Sequence, residues 1–116
     1  MPPRSRPATS RARSLLTVAN KNDVDIGKRT TVVKRLKDYE ILAFACKRAG
    51  KARDEGRAYY SIGVLYDNIG NYRKAVTYYD KFLKVCIAIG DSHGEALSYN
   101  CMGVDFHKMA EHEPEN

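Results

Sequence analysis

Apolar residues between Gly56 and Leu83 recur at steps of three and four, the spacing of one face of an α-helix. The first set is Tyr59, Ile62, Tyr66 and Ile69, and the second is Tyr72, Ala75, Tyr79, Phe82 and Cys86. The short sequence Asn-Ile-Gly-Asn at 68–71 separates the two sets. Two amphipathic helices on so short a connection predict an antiparallel helical hairpin.

Gly63 lies inside the first of these helices, where glycine costs about 1 kcal/mol relative to alanine. A glycine kept at that cost predicts close approach of the partner helix, and we expect the contact at Ala75.

The hairpin pattern repeats at an interval of 40 residues, which predicts a stack of similar units. Forward in the chain, Tyr59, Ile62, Gly63, Val64 and Tyr66 correspond to Tyr99, Met102, Gly103, Val104 and Phe106. Backward, Tyr72, Val76, Tyr79, Phe82, Leu83 and Cys86 correspond to Val32, Leu36, Tyr39, Leu42, Ala43 and Cys46. Gly50, Gly70 and Gly90 are spaced 20 residues apart, and each is expected to end a helix in a left-handed cap. The predicted helices span about 29–49, 54–69, 72–89 and 92–110.

These residues resemble the tetratricopeptide repeat signature in order and spacing. The resemblance is carried by Tyr59, Ile62, Gly63, Tyr66, Gly70, Tyr72, Ala75 and Tyr79. The family's usual period is about 34 residues, and the interval of 40 is similar to the repeats of kinesin light chains and of Pins-type G-protein modulators. The resemblance implies an all-α superhelix of antiparallel helical hairpins that binds other proteins.

Three segments are predicted along the chain: a disordered basic arm at 1–22, a helical repeat domain at 23–110 and a tail at 111–116. Asn22 or Asp23 is the expected N-cap of the first helix. Asp23 and Arg35 occupy the places of Gly63 and Ala75, so no closely packed hairpin is expected before residue 28. At the last helix, Asp91 or Ser92 is expected to be the N-cap, and Glu95 lies three residues beyond Ser92 in a capping-box pattern.

Positive charge is concentrated in the first half of the chain. Residues 1–57 hold fifteen Lys and Arg against six Asp and Glu, whereas residues 58–116 hold five against eight. The arm contains Arg4, Arg6, Arg11 and Arg13 and no acidic residue. It could bind an acidic surface, act as a mitochondrial targeting segment or be a solvated tail. The exposed side of the first helix is expected to carry Lys28, Arg29, Lys34, Lys37, Lys47 and Arg48.

The last predicted helix repeats a buried stripe for which the sequence offers a partner on one side only. Tyr99, Met102, Phe106 and Met109 repeat the spacing of Tyr59, Ile62, Tyr66 and Ile69. A large apolar side chain left in water forfeits about 1.5–3 kcal/mol. We therefore expect self-association, or that the chain is a piece of a longer repeat array.

No arrangement of residues in the sequence indicates catalysis, a cofactor or a metal site. His93, His107 and His112 lack a recognised ligand spacing, and no glycine-rich phosphate loop is present. Cys46, Cys86 and Cys101 form an odd set, interpreted as small buried residues in a reducing compartment. No apolar run is long enough to span a membrane. We expect a non-enzymatic, cytoplasmic scaffold or adaptor, with cytoskeletal association as one possibility.

The resemblance also implies where a partner would bind, because the first helices of successive tetratricopeptide hairpins line a groove for a peptide or helix. By position these residues are Arg57, Tyr60, Ser61, Val64, Asp67 and Asn68, with Leu97, Asn100, Cys101, Val104, His107 and Lys108. Tyr60 and Asn100 would bond a peptide backbone above an apolar floor of Val64 and Val104. The carboxylate clamp of chaperone-binding members is absent, because its positions here are Tyr60 and Val64. The alternative function is a nucleic-acid or microtubule binder led by the basic half.

Overall fold

The structure is a computed structural model that describes the backbone of residues 21–112 and the side chains of residues 30–112. It contains four helices: α1 (Lys21–Ala49), α2 (Ala52–Asn68), α3 (Tyr72–Ile89) and α4 (Ser92–His112). No strand occurs in this range, so the predicted all-α class is confirmed for the described residues. The prediction that Asn22 or Asp23 caps α1 is wrong, because both residues lie within that helix. The arginines of the basic arm and residues 113–116 of the tail lie outside the described parts.

Three of the four helices begin and end close to their predicted positions. The bounds of α3 are those predicted, and those of α2 and α4 differ by at most two residues at either end. The exception is α1, which begins at Lys21 rather than near 29. Residues 21–49 contain no proline, and the single Gly27 costs only about 1 kcal/mol in a helix interior, so neither ends the helix.

The chain divides after Val33 into two compact units. The described part of the first unit is the N-terminal part of α1. The second unit holds residues 34–49 of α1 together with α2, α3 and α4. The candidate site lies wholly within this second unit.

Glycines in the left-handed conformation end three of the helices. Gly50, Gly70 and Gly90 have φ angles of 75°, 79° and 73°, which confirms the predicted caps. At Gly90 the backbone N–H bonds the carbonyls of Cys86 and Ile87. These positions favour glycine because a Cβ is strained at such φ angles.

Side chains also cap the starts of α3 and α4. The backbone N–H of Lys74 donates to Asn71 Oδ1 at 3.3 Å, and that of Gly94 donates to Asp91 Oδ1 at 3.0 Å. Asp91, one of the two predicted caps of α4, is therefore confirmed as its N-cap. The predicted capping box of Ser92 and Glu95 is wrong, because Ser92 is already the first helical residue.

The α2–α3 hairpin closes where Gly63 faces α3. A Cβ built on Gly63 would lie 2.6 Å from Cε1 of Tyr79, a separation that real Cβ atoms do not show. The predicted close approach of the partner helix is therefore present. The nearest residue is Tyr79 rather than Ala75, although Ala75 is itself fully buried.

Aromatic rings and lysines close one edge of this hairpin. The Tyr78 ring lies 5.8 Å from that of Tyr66 and 6.3 Å from that of Tyr59. Lys81 Nζ lies 5.0 Å from the Tyr78 ring centre, and Lys74 Nζ lies 5.6 Å from that of Tyr66. Each cation faces the negative side of an aromatic ring, which adds attraction to apolar packing.

Helix α4 packs on α3 through small residues at its start. Gly94 lies against Cys86 Sγ, and the Ser98 hydroxyl donates to the Gly94 carbonyl at 2.8 Å. On the opposite side of the stack, α1 contributes Leu36, Ala43 and Cys46 to the core. A cavity of about 290 Å³ lies between α1 and α2, lined in part by Tyr39.

Candidate functional site

Two cross-helix contacts join α2 to α4 beside their shared partner α3. The Tyr60 hydroxyl lies near the Cys101 thiol, and the carboxyl group of Asp67 lies near that of Asp105. The Tyr60 ring also packs on α3, 5.2 Å from the ring centre of Phe82. These contacts place the two helices side by side, so that residues from both can face a common partner.

The predicted groove residues divide by exposure. Those that are exposed are Arg57, Asn68, Leu97, Asn100, Val104 and His107. Those that are half-buried are Tyr60, Ser61, Val64, Asp67, Cys101 and Lys108. Both α2 and α4 contribute exposed and half-buried residues to the predicted groove.

Several polar groups of this set already have partners. The Ser61 hydroxyl donates to the Arg57 carbonyl at 2.9 Å, and His107 Nε2 lies 3.4 Å from Glu111 Oε2. Lys108 Nζ lies 5.3 Å from the ring centre of Tyr72. Asn68 and Asn100 have no side-chain partner among the described residues, so their amides can bond a bound chain.

A cavity of about 450 Å³ opens where the end of α3 meets the starts of α2 and α4. Its apolar wall includes Phe82, Val85 and Leu97, and its rim carries the basic residues Arg53 and Arg57. Arg53 Nη1 lies 3.6 Å from Asp91 Oδ2. Arg57 Nη1 likewise lies 3.9 Å from Asp54 Oδ1, so the rim of this apolar cavity carries charges of both signs.

Asp105 lies fully buried beside Asp67. Neither carboxylate oxygen of Asp105 has a donor among the described residues, and Oδ1 of Asp67 also lacks one. Burial first, and then the hydrogen bond and negative charge of Asp67, raise the pKa of Asp105 to about 7, against a lowering influence of Lys108. The proton on Asp105 removes a buried negative charge that would otherwise lie beside Asp67, where like charges repel.

Tyr79 extends this polar cluster toward α3. Its hydroxyl donates to Asp67 Oδ2 at 2.8 Å. Burial, and after it the hydrogen bond to Asp67, raise the pKa of Tyr79 far above its ordinary value of 10.0. The neutral phenol therefore acts as a fixed hydrogen-bond donor that links α3 to Asp67 of α2.

Asp105 was not among the predicted site residues, although the repeat carries a signal for it. A shift of 40 residues places Asp105 on Leu65, which is buried in α2. An ionisable residue at a core position of a repeat indicates either a partner or a special role. By contrast, nothing in the sequence pairs Tyr60 with Cys101, because that contact depends on how the helices are rotated.

The cysteines are reduced and mainly packed. Cys46 and Cys86 are buried and Cys101 is half-buried, so the prediction of small buried residues holds for two of them. Burial is the largest cause that raises the pKa of Cys86 and of Cys101. Thiols with a raised pKa are poor nucleophiles at neutral pH. No group of three or more His, Cys, Asp or Glu within the described residues is placed to hold a metal ion.

Residues 56–86 match the family model of the tetratricopeptide repeat. The match covers α3 up to Cys86 and most of α2, the hairpin that carries the resemblance in the sequence. No curated protein and no solved structure matches the chain. Among the described helices, none is both long and apolar enough to cross a membrane.

Proposed function

We propose that the chain is a non-catalytic protein-interaction module, a scaffold or adaptor that binds a peptide or partner helix along α2 and α4. The observation that carries this proposal is that the equivalent residues Val64 of α2 and Val104 of α4 both remain at least partly exposed. Val64 is half-buried and Val104 is exposed, and the amides of Asn68 and Asn100 lack partners in the described part of the chain. The tetratricopeptide match at residues 56–86 supports the same class of function.

Basic residues lie at both ends of this surface, and three of them lie within 4 Å of a carboxylate of the same chain. Arg53 and Arg57 border the cavity at one end, and His107 and Lys108 lie toward the other. The interval of 40 residues further supports a likeness to kinesin light chains and Pins-type modulators, and with it a cytoplasmic role near the cytoskeleton.

Selection from a peptide library tests this proposal, because it requires no named partner. Random peptides displayed on phage are selected against the full chain, and the affinity of each winner is measured by fluorescence anisotropy. Val104→Glu places a charge on the apolar floor and is expected to weaken binding at least about tenfold. Ala88→Glu, at an exposed position on α3, is the matched control and should leave affinity unchanged. Equal affinity for both variants would reject the groove.

The second candidate function is binding to nucleic acid, microtubules or another acidic surface through the basic half. It is favoured by the exposed side chains of Lys34, Lys37, Lys47 and Arg48 on α1. Such binding should weaken steeply between about 50 and 200 mM salt. It should also fall when residues 1–22 are deleted, whereas capture of selected peptides by the groove should survive both changes.

A further inference from the structure

The outer side of α4 carries Tyr99, Gly103 and Phe106, which correspond to Tyr59, Gly63 and Tyr66 of α2. On α2 this set of residues is covered by α3. Gly63 of α2 lies beneath the ring of Tyr79, whereas a Cβ built on its counterpart Gly103 meets no atom within 4 Å. Tyr99 is 54% exposed and Phe106 is 55% exposed, while their counterparts on α2 are half-buried. A helix-covering surface is thus present on α4 with no helix from the described residues upon it.

The chain also contains a helix of the kind that covers such a surface. Residues 34–49 of α1 correspond to α3 at the interval of 40 residues, so that Tyr39 matches Tyr79 and Leu42 matches Phe82. Phe82 packs against α2, but Leu42 is 46% exposed and the neighbouring Ile41 is 59% exposed. This side of α1 is therefore available to a second molecule.

We propose that residues 34–49 of one copy dock on α4 of a second copy, in the way that α3 docks on α2 within one chain. The chains then associate head to tail, each presenting α4 to one neighbour and α1 to the other. This inference concerns the side of α4 that carries Tyr99, Gly103 and Phe106, which shares only His107 with the peptide groove, and either can hold without the other.

Each contact within the α2–α3 hairpin has a counterpart in the proposed interface, at residues 40 positions away in the sequence. The ring of Tyr79 lies over Gly63, and the ring of Tyr39 in one copy would lie in the same way over Gly103 of the other. The ammonium group of Lys74 lies beside the Tyr66 ring, and that of Lys34 would lie beside the Phe106 ring of the other copy. The Tyr79 hydroxyl donates a hydrogen bond to Asp67, and the Tyr39 hydroxyl would donate one to an imidazole nitrogen of His107 in the other copy.

One pair translates less well. Arg35 stands in the place of Ala75, which is fully buried in the hairpin. An arginine there holds the helices farther apart at that end, and the planar guanidinium can lie on the exposed Phe106 ring. The interface between copies is accordingly looser than the internal hairpin, which fits reversible association.

Charge favours a second copy over the pairing of α4 with another α4. Residues 34–49 hold five basic and two acidic residues, whereas α4 holds three acidic residues and one lysine. In an antiparallel α4 pair centred on Gly103, Glu95 would face Glu111 of the other copy, and like charges repel. Opposite charges instead bring α1 to α4.

Two variants with complementary defects test this arrangement. Leu42→Asp disables the α1 side, and Phe106→Asp disables the α4 side; both side chains are about half exposed, so each variant should fold. Sedimentation velocity at concentrations up to about 100 μM, the range of weak interfaces, gives the mass of each variant alone and of an equal mixture. Ala88→Asp, exposed on α3, is the matched control.

We expect the wild-type chain and the control to associate beyond the dimer as concentration rises, and each variant alone to be a monomer. The mixture should form a one-to-one heterodimer, because the intact α1 of one variant meets the intact α4 of the other. Association of the Leu42→Asp variant with itself would show that α4 pairs with α4. A wild-type chain that is monomeric throughout would show that the surface stays open or is covered within the chain, and either result overturns the proposal.

Discussion

Asp105 and Asp67 form a carboxyl pair in which buried Asp105 lacks any donor in the described structure and half-buried Asp67 retains one, the hydroxyl of Tyr79. The pair lies where α2, α3 and α4 meet. The proton on Asp105 therefore affects how firmly α4 is held on the hairpin. The raised pKa of Asp105 makes the stability of this junction depend on pH.

Stability should fall as pH rises through the titration of this pair. Folded Asp105 keeps its proton to about pH 7, whereas the unfolded residue loses it near the ordinary value of 3.8. Between these values the folded state binds more protons, so the contribution is complete below about pH 4 and is lost above about pH 7. Asp105→Asn keeps a neutral donor toward Asp67 and should remove this dependence, raising the free energy of unfolding at pH 8 by about 2–4 kcal/mol.

Urea unfolding at pH 5, 6, 7 and 8 measures this effect. Asp54→Asn is the matched control, since Asp54 is an exposed carboxylate of α2 that pairs with Arg57 at 3.9 Å. A parallel pH profile for wild type and the Asp105→Asn variant would contradict the raised pKa of Asp105.

The two equivalent glycines should respond to alanine in opposite directions. Gly63→Ala pushes a methyl group into the Tyr79 ring and should cost about 1–3 kcal/mol of folding stability. Gly103→Ala adds a methyl group in open space within a helix and should stabilise by up to about 1 kcal/mol. Thermal unfolding at low protein concentration compares them. Equal effects would mean that Gly103 is covered in solution.

Gly103→Ala also distinguishes folding from association. If the Tyr39 ring of a second copy packs on Gly103, the added methyl group stabilises the monomer but weakens the contact between copies. We therefore expect a higher melting temperature together with a lower average mass in sedimentation at the same concentration.

The start of α4 should depend on Asp91 and not on Ser92. Asp91 accepts the backbone N–H of Gly94 and lies 3.6 Å from Arg53, so Asp91→Ala should cost about 1–2 kcal/mol. Ser92→Ala should change the free energy of unfolding by less than about 0.5 kcal/mol, the usual range at surface positions. Chemical unfolding of the pair of variants decides which residue is the cap.

Removal of the Tyr79 hydroxyl should destabilise the carboxyl pair. Tyr79→Phe leaves the ring over Gly63 but takes the donor from Asp67 Oδ2, at an expected cost of about 1–3 kcal/mol. Tyr78→Phe is a matched control, because that hydroxyl makes only an exposed bond of 3.4 Å to Glu40. A larger loss for Tyr78→Phe than for Tyr79→Phe would contradict this account.

Features that depend on local chain geometry were predictable from the sequence. Glycine at 20-residue intervals gave the helix ends, since only glycine readily takes positive φ, and apolar spacing gave α3 to the residue. The residue facing Gly63 was not predictable, because it depends on the rotation of α3 about its axis. Tyr79 and Ala75 lie on the same side of that helix, and only the packing selects between them.

The candidate site divides in the same way. The repeat register places Val64 and Val104 at equivalent positions, but it cannot show that Ser61 and His107 are already bonded within their own helices. It could have revealed Asp105, which replaces the buried Leu65, had each core position been compared between repeats. The start of α1 was missed because its N-terminal part is polar and shows no apolar period.

The left-handed corners at Gly50, Gly70 and Gly90 have an evolutionary consequence. Each corner joins two helices through the same backbone conformation, so a block of 40 residues begins and ends at interchangeable joints. Recombination between such blocks would add or delete a unit while every remaining joint kept its shape. Gene duplication could then lengthen the molecule in steps of fixed size and adjust its reach to larger or smaller targets.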